Sequence, residues 1–204
     1  RMRSLLQQFL ERRLIPEGAI PRFEAAIASA FRWRNSVPAE ILLIAFVYVV
    51  GILVIWRQYF VLDTATWYAT PSPDGAKLSL AGMWYGYVSL PIFQFLLCRW
   101  YFRLLIWTRF LWQVSRIPLS LVPTHPDRVG GLGFLSGTAY AFAMLALAHG
   151  AMLAGMIANR IFYVGAGLLD FKAEIAVMVV FVLALVVGPL LVFVFQLAQA
   201  KRTG

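Results

Sequence analysis

The stretch from Pro123 to Leu135 combines residue types that could do chemistry. His125 offers a titratable imidazole, Asp127 a carboxylate and Arg128 a guanidinium. The glycines that follow them are Gly130, Gly131 and Gly133. Backbone amides in glycine-rich turns can point toward an anion. The segment therefore predicts a site for a phosphate, a nucleotide or a lipid headgroup, in which the imidazole could also sense pH.

A structural role is the alternative for the same residues. Thr124 and Asp127 have the spacing of a helix-capping pair, and Pro126 fits a first helical turn. The glycines could simply allow a tight entry into the next helix. The string lacks the Lys and Ser or Thr that end a Walker-type phosphate loop, and it does not match the dinucleotide fingerprint. A nucleotide enzyme is therefore not expected, whereas the other two interpretations stay open.

The order of residues in this segment, Pro-Thr-His-Pro-Asp followed by Gly-Gly-Leu-Gly-Phe-Leu, resembles a string found in a group of uncharacterised bacterial inner-membrane proteins. The resemblance covers Pro123 to Leu135 only. It implies a multi-pass protein of the bacterial inner membrane. It implies no activity, no ligand and no catalytic residue.

His149 is the second candidate, because it lies in the middle of an uncharged run. An ionisable group at that depth could relay protons, line a pore or bind a metal. The alternative is one interhelical hydrogen bond to Ser, Thr, Gln or Asn on another span. No second ligand accompanies it, and the single cysteine, Cys98, excludes an internal disulfide and a cysteine-based metal site. We therefore expect no metal and no cofactor.

The composition indicates an all-α integral membrane protein. Of the 204 residues, 61% are hydrophobic and 13% are charged, whereas a soluble domain has about twice that share of charges. Four uncharged runs, at 41–56, 78–98, 129–159 and 175–200, are each close to or above the length that crosses a bilayer. We expect spans at about 39–62, 78–99, 134–158 and 175–200, with the second helix continuing beyond Arg99.

The segment before the first span is amphipathic and basic. Residues 1–37 predict two helices that lie in the headgroup layer, ahead of a four-span domain at 38–204. The alternative is that these helices pack on other subunits or on a missing soluble domain. The chain begins with Arg1 and stops soon after a span, which favours a fragment of a longer protein.

The distribution of basic residues predicts the topology. Counted along the chain, the segments outside the spans contain seven, one, five, two and two Lys and Arg. This alternation places both termini and the 99–128 connection in the cytoplasm. The net charge of +9 then indicates contact with anionic lipid headgroups rather than with nucleic acid.

Two further patterns concern helix packing. Pro91 and Pro189 lie inside their spans, where proline favours a kink. Small residues at helical spacing predict a face for close helix contact, within one subunit or between subunits. They are Ala139, Ala143, Ala146, Gly150 and Ala154.

Three functions remain compatible with the sequence. The first is a homo-oligomeric channel or transporter for a small ion or solute, and the second is a non-catalytic scaffold or accessory subunit of a membrane complex. The third is an enzyme acting on lipid headgroups. No paired carboxylates and no nucleophile beside an evident base accompany the spans. We therefore expect no enzyme and prefer the first function narrowly over the second.

Overall fold

The computed structural model describes residues 2–12, 14–51, 65–73, 77–121, 125–127, 129–194 and 197–198. Helices dominate this part of the chain, together with one small antiparallel sheet. The helices are α1 (Met2–Glu11), α2 (Ile20–Arg34), α3 (Val37–Phe46), α4 (Leu80–Trp84), α5 (Leu90–Ser115), α6 (Gly137–Val164) and α7 (Lys172–Val187). The strands are β1 (Ala69–Thr70) and β2 (Lys77–Leu78). Short 3-10 turns cover Glu17–Ala19, Leu132–Ser136, Leu168–Phe171 and Gly188–Phe193.

Three helices in the described part of the chain are long and apolar enough to cross a membrane. They are Leu80–Ser115, Phe142–Val164 and Leu168–Phe193. A fourth span results only if Glu17–Arg34 and Val37–Gly51 are counted together as one bent span. The predominantly helical fold is confirmed, and three helices could cross a membrane by length and composition, while the fourth span and the positions of the termini stay predictions.

The helix ends differ from the predicted spans. The second helix does continue past Arg99, because no glycine or proline interrupts it before Ser115. The third helix ends at Val164 rather than near residue 158, since Arg160 does not stop it. The last apolar helix begins at Leu168 instead of residue 175. Residues 52–62 of the first predicted span lie outside the described residues.

A β-hairpin precedes the second span, so the expectation of an all-α chain was wrong in this detail. Ala69 pairs with Leu78, and Thr70 pairs with Lys77. Ser79 then caps α4, because its hydroxyl accepts the Gly82 amide at 3.0 Å and donates to the Trp67 carbonyl at 3.0 Å. The hairpin thereby fixes where the helix begins.

Contacts divide the chain into two units. The first comprises residues 1–35, 103–146 and 180–204, and the second comprises residues 36–102 and 147–179. The core of the first unit is aromatic. The Phe9 ring lies 5.6 Å from Phe23 and 4.9 Å from Phe134, and Phe23 lies 6.0 Å from Phe110.

These aromatic contacts involve α1 and α2, the two helices that were predicted to lie in the headgroup layer. Phe9 on α1 and Phe23 on α2 are buried, with 0% and 1% of their surface exposed. Their apolar faces cover Phe110 and Phe134 of the same chain, and neither lipid nor another subunit is needed to bury them. The reason is that α5 extends beyond the membrane-spanning length and offers an apolar protein surface there.

Within the second unit, α6 and the start of the last apolar helix form a hairpin. Leu153, Ile157 and Phe171 are its buried residues. Gly165, with a φ of +74°, makes the turn that follows α6. A second buried cluster in this unit contains Tyr68, Ala69 and Leu90.

Both prolines coincide with a change of helix type. A π turn, Tyr85–Ser89, lies just before Pro91, and a 3-10 turn begins at Gly188, one residue before Pro189. Such turns redistribute backbone hydrogen bonds around a residue that has no N–H to donate. Kinks at these positions stay predictions.

Candidate functional site

The carboxylate of Asp127 is the centre of the 125–134 loop. Its Oδ1 accepts the amides of Val129 and Gly131, both at 3.0 Å, and its Oδ2 accepts the amide of Gly133 at 2.9 Å. The imidazole Nδ1 of His125 lies 2.9 Å from Oδ1. A carboxylate has about four lone-pair sites. Three of these donors lie on Oδ1 and one lies on Oδ2, so most of the acceptor capacity of the carboxylate is used within the loop.

The glycines make this wrapping possible. Gly130 and Gly131 adopt φ values of +66° and +96°, in the left-handed region that favours glycine. A Cβ at Gly130 would also lie 3.2 Å from the Leu121 side chain. The chain can therefore turn three amides inward within a few residues only because these positions have no side chain.

The hydrogen bond to Asp127 fixes the tautomer of His125. The Asp127 amide also points at Nδ1, at 3.3 Å. A nitrogen that donates to the carboxylate has no lone pair with which to accept that amide. Because the carboxylate contact is shorter, Nδ1 carries the proton and Nε2 is the nitrogen left for other partners.

The same hydrogen bonds hold Asp127 in its charged form. Burial on its own raises the pKa of Asp127, but the amides of Gly131, Gly133 and Val129 and the imidazole of His125 outweigh it. The pKa of this carboxyl therefore lies well below its usual range. Asp127 stays ionised throughout the neutral range and does not act as an acid or a base there.

Arg12 binds the outer side of the loop. Its Nη1 donates to the Gly131 carbonyl at 3.2 Å, and its guanidinium carbon lies 5.2 Å from the centre of the Phe134 ring. The loop is thus held by a carboxylate on its amide side and by a guanidinium on its carbonyl side. This contact also attaches the end of α1 to the loop.

The structure brings the predicted ligand-binding residues together, but they surround the Asp127 carboxylate rather than a separate ligand. The amides of Gly131 and Gly133 bind an anion, and that anion is the Asp127 carboxylate. No helix begins at Pro126, because the next helical turn begins at Leu132, and Asp127 instead accepts the amide of Gly133 in that turn. Thr124 and Arg128 lie outside the described residues. The arrangement favours the structural role for this segment.

His149 has a hydrogen-bond partner that the sequence did not indicate. Its Nε2 is joined to the Tyr101 hydroxyl of α5, and only 3% of the histidine is exposed. The structure therefore shows an interhelical hydrogen bond, which was one of the two interpretations of His149, but its partner is Tyr rather than Ser, Thr, Gln or Asn. Gln94, Cys98 and Tyr101 follow at helical spacing, which is the signal that could have suggested a polar face on α5.

We predict that Tyr101 and His149 are energetically coupled. In a double-mutant cycle of Tyr101→Phe and His149→Leu, the coupling energy should be about 0.6 to 1.7 kcal/mol, as for other hydrogen bonds between spans. Thermal unfolding of the purified protein in detergent measures it. Additive effects of the two substitutions would show that the bond contributes nothing to stability.

Part of the small-residue face of α6 is open within the described chain. A Cβ added at Gly150 would have no atom of the described residues within 4 Å, and Ala143 and Ala154 are exposed. Ala146 is half-buried, and the side-chain surroundings of Ala139 lie outside the described residues. A groove of about 410 Å³ runs beside Gly150 and Ala154, toward Leu168 and Ile175. This groove is called the assembly groove below.

No protein-family model, curated protein or solved structure matches the chain.

The function must therefore be inferred from this chain's own residues. Two of the residues that matter most, Arg12 and Tyr101, carry no sequence signal that identifies their partners. Arg12 contacts a loop more than a hundred positions away, and Tyr101 bonds to a residue 48 positions away. Such long-range contacts depend on how helices pack, which periodicity does not specify.

Proposed function

We propose that the chain is a non-catalytic subunit of a multi-pass membrane assembly, built from copies of itself. The observation that carries the proposal is the assembly groove, an open apolar groove beside Gly150 and Ala154. Small residues at such a face let a second helix approach closely, which gives van der Waals contact that lipid cannot match.

The last apolar helix supports the same proposal. Within Leu168–Phe193, 6% of the apolar window is buried, compared with 22% in each of the other two candidate spans. No residue of α7 is classed as buried. The polar side chains of the second unit bind helices to one another, as in Tyr101–His149 and the 3.3 Å ion pair between Arg99 and Glu40. Both contacts lie within one chain, so they support the packing of its own helices.

A matched pair of substitutions tests the proposal. Gly150→Leu and Gly155→Leu each add a side chain into open space on α6, and only Gly150 borders the assembly groove. We expect Gly150→Leu to raise the dissociation constant of the oligomer at least tenfold in mild detergent, measured by sedimentation, and Gly155→Leu to leave it unchanged. A monomeric wild-type protein, or an oligomer indifferent to Gly150→Leu, would rule out assembly through this groove.

A homo-oligomeric channel or transporter for a small ion or solute is the second candidate. The buried imidazole–phenol pair favours it, because ionisable groups at this depth often mark conducting pathways. Flux into proteoliposomes distinguishes the two candidates. Conduction that disappears with His149→Gln would support the pathway, and an absence of flux over a range of pH would leave the scaffold role.

The proposed surroundings are a bacterial inner membrane with anionic headgroups. The support is the resemblance of the Pro123–Leu135 string, the basic counts and the exposed arginines of the first unit. Arg109 lies 5.0 Å from the Trp33 ring centre, and Arg116 lies 4.9 Å from Trp112. Arginine beside exposed tryptophan suits the phosphate level of a bilayer. In this proposal both termini face the cytoplasm, and nucleic acid is not a partner.

A further inference from the structure

A second groove lies on the other side of α6, within the second unit. Its volume is about 390 Å³, which is within the range of small-molecule sites, roughly 300–1,000 Å³. Its α6 wall presents Ala148, Ala151, Gly155 and Asn159 at helical spacing, with Met152 and Met156 between them. We call it the lipid groove.

The facing wall includes the π turn before α5. Tyr85 and Ser89 belong to that turn, and Leu90 and Phe93 continue the wall into α5. π turns occur frequently at functional sites, because the extra residue widens the helix and redirects side chains. Here the turn lies directly along a groove.

The polar groups of this groove are gathered at one end. The contact between Tyr101 and His149 shows that α5 and α6 come together near Ala148, at the inner end of the groove. Asn159 is the last lining residue on α6, and Ser89 lies before Leu90 on the facing wall, so both belong to the end away from that contact. Neither side chain has a hydrogen-bond partner among the residues that the structure describes.

We propose that the lipid groove binds one amphiphilic lipid that has an uncharged, hydroxyl-bearing head. The head exchanges hydrogen bonds with the Asn159 amide and the Ser89 hydroxyl, and the chain lies along Ala151 and Gly155. The absence of charge among the lining residues favours a ligand with an uncharged head. No lining residue is charged, so an ionic head would lose its hydration without a partner, whereas an alcohol finds both a donor and an acceptor.

The absence of a Cβ at Gly155 keeps the lipid groove open. A Cβ there would meet no atom of the described residues within 4 Å, so a larger side chain can be introduced without a clash. Gly155→Leu should therefore fill the groove and leave the fold intact. Asn159→Leu removes the amide from the polar end and keeps a side chain of similar size.

Photo-crosslinking in phosphatidylcholine nanodiscs tests the proposal. The probe is 1-oleoylglycerol with a diazirine in its chain, compared with an alkane that carries the same group. We expect the glycerol probe to label residues 148–159 and 85–93 by peptide mapping, and unlabelled 1-oleoylglycerol to compete. Gly155→Leu should reduce this labelling at least fivefold, and Asn159→Leu should abolish the preference over the alkane.

Gly150→Leu is the control, because it adds the same side chain to the same helix on the side of the assembly groove. It should leave the labelling unchanged. Equal labelling by the two probes, or labelling that Gly155→Leu does not reduce, would overturn the proposal. Neither result would bear on assembly through Gly150, which sedimentation reports separately.

Discussion

Asp127→Asn should lower the free energy of unfolding by about 2–4 kcal/mol, because hydrogen bonds to a charged acceptor contribute about 1.5–3 kcal/mol each and more than one is lost or weakened. The carboxylate accepts amides on both of its oxygens. An asparagine side chain has one acceptor oxygen, and its NH₂ group would face an amide donor. Thermal unfolding in detergent, followed by near-ultraviolet circular dichroism, measures the loss.

Asp170→Asn is the control for this substitution. Asp170 accepts one amide, that of Gly167, at 2.8 Å, in an exposed turn. Its loss should cost about 0.5–1 kcal/mol, as for an ordinary helix cap. Equal effects at the two positions would mean that Asp127 does not organise its loop.

The pH dependence follows from the lowered pKa of Asp127. A carboxyl whose pKa is lower in the folded state stabilises it fully above the unfolded value, about 3.9. That stabilisation is lost as the pH falls through the folded value. The difference in stability between wild type and Asp127→Asn should therefore be constant from about pH 5 to pH 8 and shrink below about pH 4.

Gly82→Ala should destabilise the second unit by about 2–3 kcal/mol, which is the upper part of the range for overpacking. A Cβ at this position would lie 2.0 Å from the backbone carbonyl oxygen of Tyr68 and 2.9 Å from its carbon. Backbone atoms cannot rotate away, and the same carbonyl accepts the Ser79 amide at 3.0 Å. The β-hairpin would have to separate from the start of α4.

Gly51→Ala provides the comparison. A Cβ there would lie as close, 2.0 Å, to Gln94 Oε1. That atom ends a flexible side chain, which can turn aside, and alanine is the better helix former by about 1 kcal/mol. We expect a change in stability below about 1 kcal/mol in either direction. A larger loss at Gly51 than at Gly82 would contradict the view that the hairpin is the rigid neighbour.

The sequence predicted those features that depend on local composition. Uncharged runs located the apolar helices. Uncharged runs could not give the helix ends, because Arg160 continues a helix in which it lies on an exposed face. The β-hairpin was missed because its strands have two residues each, too few to show an alternating pattern.

The sequence identified the residues of the candidate site but not the hydrogen bonds between them. Asp127 and the glycines were identified as one segment, and the spacing rules offered either an anion site or a helix cap. The structure shows a different arrangement, in which three backbone amides of the loop donate to the Asp127 carboxylate. Positive φ values at Gly130 and Gly131 make this possible, and a sequence shows only that glycine permits them.

The exposed surface of residues 175–193 also bears on how the chain would enter a bilayer during synthesis. This part of the last apolar helix has no charged residue, and most of its side chains favour transfer from the translocon into lipid, so it would insert without help from its neighbours. The helix that contains Arg99 and Arg103 pays a penalty for each charge near the hydrocarbon. We expect it to leave the translocon later than its position in the chain suggests, once Glu40 and the following helix can accompany it.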